Sequence, residues 1–300
     1  MQQPLLQVKD LCRYFGSGSR QVRAVDGISF EIRKGEVFGL VGESGCGKTT
    51  TGRCIMNICG ITSGSISFRG QEIGAVEGKG RRPLTGRHGR IQMIFQDPVA
   101  SLNPRMTVRE IISEGLVIRG VRDRKELDRR VCEMLELVGL MPSHAGRYPH
   151  EFSGGQRQRI GIARSLIMEP ELLIADEPVS ALDVSVQAQV INLLNDLRKQ
   201  LHLTILFIAH DLSVVKYFSD RIGVMYRGKL VELAPSRELF AAPFHPYTEA
   251  LLSAVPQPDP ILEKHRVRKV YDPAAAENMT VFREISPEHF ALCSDGKEKL

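Results

Sequence analysis

The sequence predicts an α/β fold in which helices cover a mainly parallel sheet. Residues 172–175 and 204–209 are short apolar runs of the kind that form buried strands, and residues 186–201 between them have a helical pattern. A further apolar run, residues 36–41, leads through a glycine-rich turn into a helical segment that starts at Lys48. Strands that alternate with helices in this way are typical of parallel sheets.

The other elements follow from the same periodicities. Residues 7–11 and 28–32 have the pattern of short strands, which predicts a β-rich start of the chain. Apolar residues recur at helical spacing over residues 107–140, and helix signals continue over residues 156–167. After about residue 235 the pattern weakens, so we expect the remaining residues to form an irregular appendage.

Composition and charge narrow the classes of function. The 300 residues are 42% apolar and carry a net charge of +5, with 40 Lys and Arg against 35 Asp and Glu. So mild a positive excess gives no support to a nucleic-acid partner. The sequence contains neither a signal-peptide pattern nor the ~20 consecutive apolar residues that a membrane-spanning helix needs. A role at a membrane would therefore depend on a partner.

Cysteine usage favours a reducing compartment. No two cysteines form a C-x-x-C pair, and their spacing is not that of a small disulfide-rich secreted domain. The six cysteines are Cys12, Cys46, Cys54, Cys59, Cys132 and Cys293.

A phosphate-binding loop is predicted at residues 42–49, which match G-x-x-x-x-G-K-[ST] between a predicted strand and a predicted helix. Glycines let successive backbone N–H groups turn towards an anion, and the following helix adds its positive dipole end. Lys48 would reach the β- and γ-phosphates, and the Thr49 hydroxyl is a natural Mg²⁺ ligand. The predicted nucleotide-binding residues are Gly42, Glu43, Ser44, Gly45, Cys46, Gly47, Lys48, Thr49 and Thr50.

Two consecutive acids, Asp176 and Glu177, follow the apolar run at residues 172–175. A single acid there would be explained by exposure to solvent. Two acids in a chain with a complete phosphate loop favour metal support and a base, because ligands of parallel sheets bind beyond the carboxyl ends of the strands. Asp176 would help to hold Mg²⁺, and Glu177 would orient and deprotonate the attacking water.

The segment Ser153, Gly154, Gly155 and Gln156 resembles the signature motif of the ABC ATPase family. A well-capped helix would account for Ser153 alone, since serine is a good N-cap. The two glycines would let backbone N–H groups approach an anion at the positive end of the helix that follows.

The resemblance to this family implies roles for further residues. Gln96 resembles the glutamine that touches Mg²⁺ and the water, in a loop that contacts the membrane partner. Asp183 lies in a segment similar to the D-loop, which passes between paired subunits, and His210 resembles the switch histidine that bonds the γ-phosphate. Phe15 aligns best with the aromatic residue that stacks on adenine, with Tyr14 as the alternative, although either ring could belong to the core.

The resemblance covers roughly residues 5–235 and implies a RecA-like α/β core, an antiparallel β-subdomain near the start and a helical subdomain at about 98–165. It implies a nucleotide-binding domain over residues 1–235 and a C-terminal extension over residues 236–300. Two subunits would sandwich two ATP molecules, because the signature of one completes the site of the other. The Mg²⁺ ligands implied are Thr49, Gln96 and Asp176.

Two further segments resemble the oligopeptide/dipeptide permease ATPases, a group that also contains nickel, glutathione and opine importers. They are residues 94–107 and residues 244–256, and the second has the pattern of a short helix that begins near Pro246. Many of these relatives carry a cysteine-bearing tail, and some hold an iron–sulfur cluster with it. Residues 257–300 contain only Cys293, so we expect no such cluster.

The implied partners are a second ABC ATPase subunit (identical or a paralogue), transmembrane permease subunits and, indirectly, an extracytoplasmic solute-binding protein. The chain would lie on the cytoplasmic face of the membrane. A non-transport ABC ATPase acting in DNA repair or translation is the rival of a different class, but it would usually bring a second ATPase domain, a coiled-coil insertion or a basic arm. The presence of Lys48, Glu177 and His210 disfavours a regulatory module without turnover. An exporter is disfavoured because the H-P-Y-T segment, residues 245–248, resembles importers.

Overall fold

The computed structural model describes residues 3–74, 76, 89–255, 268–276 and 278–294. The chain divides into two compact units, one made of Met1–Arg82 with Phe207–Leu300 and the other of Pro83–Leu206. The domain boundary expected between residues 235 and 236 stays a prediction. The same holds for the limits of the helical subdomain.

Strands and helices alternate along most of the chain. The strands are β1 (Leu6–Phe15), β2 (Val22–Ile32), β3 (Val37–Val41), β4 (Ser63–Phe68), β5 (Gln71–Glu72), β6 (Ile91–Ile94), β7 (Leu172–Asp176), β8 (Thr204–Ala209), β9 (Arg221–Tyr226), β10 (Lys229–Pro235), β11 (Met279–Ser286) and β12 (His289–Ser294). The helices are α1 (Lys48–Ile55), α2 (Pro98–Ser101), α3 (Val108–Ile118), α4 (Arg124–Leu137), α5 (Gly154–Leu166), α6 (Val184–Leu201), α7 (Leu212–Phe218), α8 (Ser236–Ala241) and α9 (Pro246–Ser253).

The first unit contains an antiparallel sheet in the order β2-β1-β4-β5. Leu6 pairs with Ile32 on one side and with Phe68 on the other, and all three are buried because alternate residues of these strands face the core. The strands predicted at residues 7–11 and 28–32 lie inside β1 and β2. The predicted antiparallel subdomain is therefore confirmed.

The same unit contains a second group of paired strands, in the order β11-β12-β10-β9-β3. β3 runs parallel to β9, and every residue of β3 is buried, as expected for a strand covered on both faces. Helix α7 packs so closely on this strand that a side chain on Gly39 would meet Val215 at 2.8 Å. β3 thus leads directly from the core into the phosphate loop.

The second unit joins the parallel pair β6 and β7 to the helices α2 to α6. The helical pattern over residues 107–140 resolves into α3 and α4, because Gly120 between them has a φ of 94°, which ends the first helix. Thr107 closes a capping box at the start of α3, and Asp123 caps α4. β8 contains the point, after Leu206, where the chain passes from this unit back to the first.

The prediction of an irregular appendage after residue 235 is wrong. The described part of this region forms α8, α9 and the β11–β12 hairpin, whose strand β12 pairs with β10 through Glu232 and Ala291. The elements are short, and their buried positions include the polar residues His245 and His289, so their apolar periodicity is weak. The helix predicted near Pro246 is confirmed as α9.

No helix in the described ranges combines the length and the apolar character that crossing a bilayer requires.

A buried carboxylate ties this C-terminal region together. Glu232, fully buried in β10, accepts hydrogen bonds from the backbone N–H groups of Phe244 (2.8 Å) and His245 (2.9 Å) and contacts His289 Nε2 at 2.7 Å. Burial lowers the pKa of His289, but hydrogen bonds to Glu232 and Glu238 outweigh burial and hold that pKa above its ordinary value. Burial holds the pKa of His245 below its ordinary value, against the field of Glu232.

We expect these two histidines to give the free energy of unfolding a maximum near pH ~6.5, the ordinary histidine pKa. Because the pKa of His289 is raised in the folded state, its contribution to the free energy of unfolding is complete below that pH. This contribution is lost as the pH rises through the folded-state pKa. Because the pKa of His245 is lowered in the folded state, its contribution to the free energy of unfolding is complete above that pH. This contribution is lost as the pH falls through the folded-state pKa. Urea unfolding from about pH 5 to about pH 9 measures both limbs.

The variant His289→Gln should flatten the alkaline limb and leave the acid limb in place. An unchanged alkaline limb in that variant would show that another group causes it.

Candidate functional site

The phosphate loop of the first unit connects β3 to α1 and needs glycine at two positions. Gly42 has a φ of 148° and Gly47 a φ of 109°. A Cβ on Gly42 would lie 2.2 Å from the carbonyl oxygen of Met225, and one on Gly47 would lie 2.1 Å from that of Ala24. Any side chain there would displace backbone, so the loop keeps its shape only with glycine.

Lys48 and the start of α1 supply positive charge at this loop. The Lys48 side chain is only 4% exposed, and its Nζ donates to the carbonyl oxygens of Gly42 and Glu43, both at 2.8 Å. Gly47 is the N-cap of α1, so the first N–H groups of the helix and its positive dipole end point into the loop. This donor set fits a polyphosphate. Thr49 and Thr50, in the first turn, are partly exposed.

The two candidate adenine-stacking rings differ in exposure. The Phe15 ring is 41% exposed, and the Arg13 guanidinium lies 4.4 Å from its centre. The Tyr14 hydroxyl donates to Asp26 at 2.5 Å, and this hydrogen bond raises the pKa of Tyr14. Phe15 is more exposed than the half-buried Tyr14, which fits stacking on a base, and its role stays a prediction.

His210 lies immediately after β8, in an exposed position. The next residue, Asp211, is the N-cap of α7 and accepts a hydrogen bond from Ser213 N at 2.8 Å. This cap fixes the turn in which His210 lies, a support that sequence reasoning missed although an acid before a helical run is a capping signal. The switch role of His210 stays a prediction.

In the second unit, strand register brings Gln96 and Glu177 together. β6 and β7 are parallel, and Ile94 pairs with Ala175, so the residues two positions further on lie side by side beyond the strand ends. Gln96 Nε2 donates to Glu177 Oε2 at 3.0 Å. Asp176, the last residue of β7, is 2% exposed. This hydrogen bond holds the Glu177 carboxylate beside the Gln96 amide.

The backbone at Glu177 has the left-handed conformation, with a φ of 45°, which is uncommon for a residue with a side chain. Ser180 stabilises this turn because its backbone N–H (3.2 Å) and its hydroxyl (3.1 Å) both donate to the Glu177 carbonyl oxygen. Strained backbone of this kind concentrates at functional sites. Ser180 thus holds the turn at Glu177, a support that the sequence did not reveal.

The residues of the signature segment begin helix α5. Ser153 and Gln156 form a capping box, with Gln156 N donating to Ser153 Oγ (3.4 Å) and Ser153 N donating to Gln156 Oε1 (3.0 Å). A Cβ on Gly155 would meet Val186 Cγ1 at 2.4 Å. Helix capping thus accounts for Gln156 as well as Ser153, and packing on α6 accounts for Gly155. Ser153 and Gly154 are exposed, as binding in trans requires.

Asp183 is the N-cap of α6. Its carboxylate accepts hydrogen bonds from Ser185 Oγ at 2.7 Å and Val186 N at 3.0 Å, and these bonds hold its pKa below the ordinary value. The charge also lies at the positive end of the α6 dipole. Its predicted role between subunits is untested by these contacts.

Helix α5 holds the chain on both sides of Gln96. Ser165 Oγ lies 3.3 Å from the carbonyl oxygen of Met93, in β6, and Arg164 Nη1 donates to the carbonyl oxygen of Ser101, in α2, at 2.5 Å. These contacts connect the helix that begins at the signature to the segment that carries Gln96. Sequence reasoning missed both bonds, since they join residues far apart in the chain.

In the part of the chain that is described, no three side chains of His, Cys, Asp or Glu form a candidate metal centre. Cys293 is buried in β12, with its Sγ 3.5 Å from the carbonyl oxygen of Ala291. The absence of an iron–sulfur cluster stays a prediction.

Comparison with protein families gives two matches along the chain. Residues 25–180 match the family described as "ABC transporter", and residues 231–282 match "Oligopeptide/dipeptide transporter, C-terminal region". The first match includes the phosphate loop, Gln96, the signature segment and Glu177, and the second includes α9.

Individual proteins agree with these matches. The chain is 57% identical to the oligopeptide transport ATP-binding protein OppF of Bacillus subtilis, over 100% of this chain and 99% of that protein. It is 55% identical to OppF of Streptococcus mutans, over 98% of this chain and 96% of that protein. Among solved structures, the ATP-binding cassette MJ0796, a dimer in a post-hydrolysis state bound to ADP and Pi, matches with a TM-score of 0.69. That match has 27% identity and covers 77% of this chain and 99% of that one.

The predicted α/β class and the predicted ABC ATPase fold are thus confirmed. The chain belongs to the ABC transporter family, as an ATPase subunit that carries the C-terminal region of the oligopeptide/dipeptide transporters.

Proposed function

We propose that this ATPase powers the import of dipeptides and oligopeptides. The observation that carries the proposal is likeness over the whole length to oligopeptide transport ATP-binding proteins, including the C-terminal region at residues 231–282. The nucleotide-binding domain alone would not separate peptide transporters from other ABC transporters. The C-terminal region narrows the solute class.

The predicted site residues have distinct parts in the ATPase reaction. In the first unit, the phosphate loop and Lys48 bind the phosphates of ATP, Phe15 stacks on the base and His210 bonds the γ-phosphate. In the second unit, Glu177 takes a proton from the attacking water, and Gln96 orients Glu177 through the 3.0 Å hydrogen bond. Ser153, Gly154, Gly155 and Asp183 serve the site of a partner subunit.

Mg²⁺ fits the oxygen-rich donor set that the family implies, which comprises the Thr49 hydroxyl, the Gln96 amide oxygen and the Asp176 carboxylate. When bound, the ion neutralises charge on the phosphates. The chain's own residues position the nucleotide and remove the proton.

The proposed assembly has a second ABC ATPase subunit, either identical or a paralogue. The dimeric state of the MJ0796 cassette and the exposed Ser153 and Gly154 support this pairing. The pair would bind transmembrane permease subunits at the cytoplasmic face of the membrane, and the permease would receive solute from an extracytoplasmic binding protein.

Uptake in the native host tests the solute. A strain lacking the gene is supplied with labelled dipeptides, labelled oligopeptides and labelled nickel, and is restored with wild type or with Glu177→Gln. We expect peptide uptake to disappear on deletion and to return only with wild type, because transport needs turnover and not binding alone.

The nickel arm is the internal control. Unchanged peptide uptake with lost nickel uptake would place the protein among the metal importers. Rescue of peptide uptake by Glu177→Gln would contradict the role of that residue and leave the peptide assignment intact.

A further inference from the structure

The phosphate loop receives a contact from the C-terminal region that its motif does not explain. The backbone N–H of Glu43 donates to the hydroxyl of Tyr247, in α9, at 3.2 Å. Glu43 is the second residue of the loop, and 204 positions separate it from Tyr247. Both residues belong to the first unit.

This contact involves the same peptide group, between Gly42 and Glu43, that accepts a hydrogen bond from Lys48. The N–H of Glu43 and the carbonyl of Gly42 belong to one planar peptide group. The carbonyl oxygen accepts a hydrogen bond from Lys48 Nζ at 2.8 Å, and the N–H on the opposite side donates to Tyr247. Rotation of the group would break both bonds, so Tyr247 fixes the direction in which the carbonyl meets Lys48.

The ring of Tyr247 is itself rigidly held. It is 2% exposed and lies against Tyr226 of β9, with ring centres 4.4 Å apart, and against Tyr271, with centres 5.3 Å apart. Packing of this kind fixes the position of the ring, and the position of the hydroxyl is fixed with it.

The start of α9 is anchored by buried polar groups. His245, the N-cap, accepts a hydrogen bond from Tyr247 N at its Nδ1 (3.1 Å), and the N–H of His245 donates to the fully buried Glu232 (2.9 Å). Glu232 also contacts His289 of the C-terminal hairpin at 2.7 Å. A continuous series of contacts thus leads from β12 through β10 and α9 to the phosphate loop.

We propose that Tyr247 is a positioning residue for nucleotide binding, through which the C-terminal region holds the phosphate loop in its binding shape. The proposal rests on the proposed ATPase function and adds a role for the region that marks the oligopeptide/dipeptide group. Tyr247 lies behind the loop and contacts its backbone, so it acts through the loop and not on the reacting atoms.

The variant Tyr247→Phe separates this role from packing, because phenylalanine keeps the ring and loses only the acceptor. Without the hydroxyl the Gly42–Glu43 peptide gains other orientations, and binding must select the productive one. We expect the Kd for ATP to rise about three- to tenfold, the range of one hydrogen bond. KM for ATP should rise by a similar factor, while kcat at saturating ATP changes little.

Fluorescent-nucleotide titration of the purified full chain measures Kd for ATP, ADP and inorganic tripolyphosphate by competition. The matched control is Tyr271→Phe, which removes a hydroxyl from the same aromatic group without touching the loop. We expect Tyr271→Phe to bind like wild type, and Tyr247→Phe to lose affinity for all three ligands, since the phosphates are what the loop holds.

Two results would overturn the inference. One is wild-type affinity in Tyr247→Phe. The other is a loss seen with ATP and ADP but absent with tripolyphosphate, which would locate the effect at the base. A wild-type chain that bound no nucleotide would instead refute the proposed function, so the two failures are distinct. Thermal unfolding of each variant in the absence of ligand identifies any general loss of folding.

Discussion

Replacing Glu177 with glutamine should lower the rate of ATP hydrolysis by about two to four orders of magnitude, the usual contribution of a general base. The amide cannot accept a proton from the attacking water. It keeps the size of the side chain, and its oxygen can still accept the hydrogen bond from Gln96 Nε2 that Glu177 accepts at 3.0 Å. The left-handed turn at this residue depends on Ser180 and the backbone, so it should survive the change.

Steady-state phosphate release measures the rate, and nucleotide titration shows that binding persists. The matched control is Glu171→Gln, which alters the residue just before β7, far along the strand from Glu177. Glu171 forms an ion pair with Arg90 at 2.6 Å, and its loss should leave the rate unchanged. A Glu177→Gln protein that kept more than about a tenth of the wild-type rate would assign the base to another group.

Much of the candidate site could be predicted because its residues act through local backbone. The phosphate loop needs glycines and a lysine at fixed spacing, and the structure explains Gly42 and Gly47 by backbone that lies within 2.2 Å of an added Cβ. Short motifs also indicate Gln96 and Glu177 one at a time, but their pairing depends on the register of two strands that lie far apart in the chain.

Other features could not be predicted because they join distant segments through polar groups. Glu232 and His289 are residue types typical of surfaces, yet both are buried. Burial is favourable because the two side chains contact each other at 2.7 Å and Glu232 also accepts two backbone hydrogen bonds. Tyr247 belongs to a recognisable motif, but nothing in its neighbours indicates a bond to Glu43. Burial of the polar residues His245 and His289 weakened the apolar pattern after residue 235 and led to the wrong prediction of an irregular appendage.

Replacing Glu232 with alanine should lower the free energy of unfolding by about 3–5 kcal/mol, the usual cost of removing one partner of a buried ion pair. The carboxylate is fully buried and serves the N–H groups of Phe244 and His245 as well as the imidazole of His289. Alanine would leave all three donors without this acceptor, out of reach of water. Urea unfolding near pH ~6.5 measures the change.

Glu238→Ala is the matched control because Glu238 also contacts His289, at 3.2 Å, from a side chain that is 35% exposed. Water can replace an exposed carboxylate, so its loss should cost no more than about 1 kcal/mol. Equal losses in the two variants would mean that burial of Glu232 is not what stabilises the region. If Glu232→Ala is the more damaging and also weakens nucleotide binding at temperatures where it stays folded, the stability of the C-terminal region and the shape of the phosphate loop depend on the same carboxylate, as the contact series through Tyr247 requires.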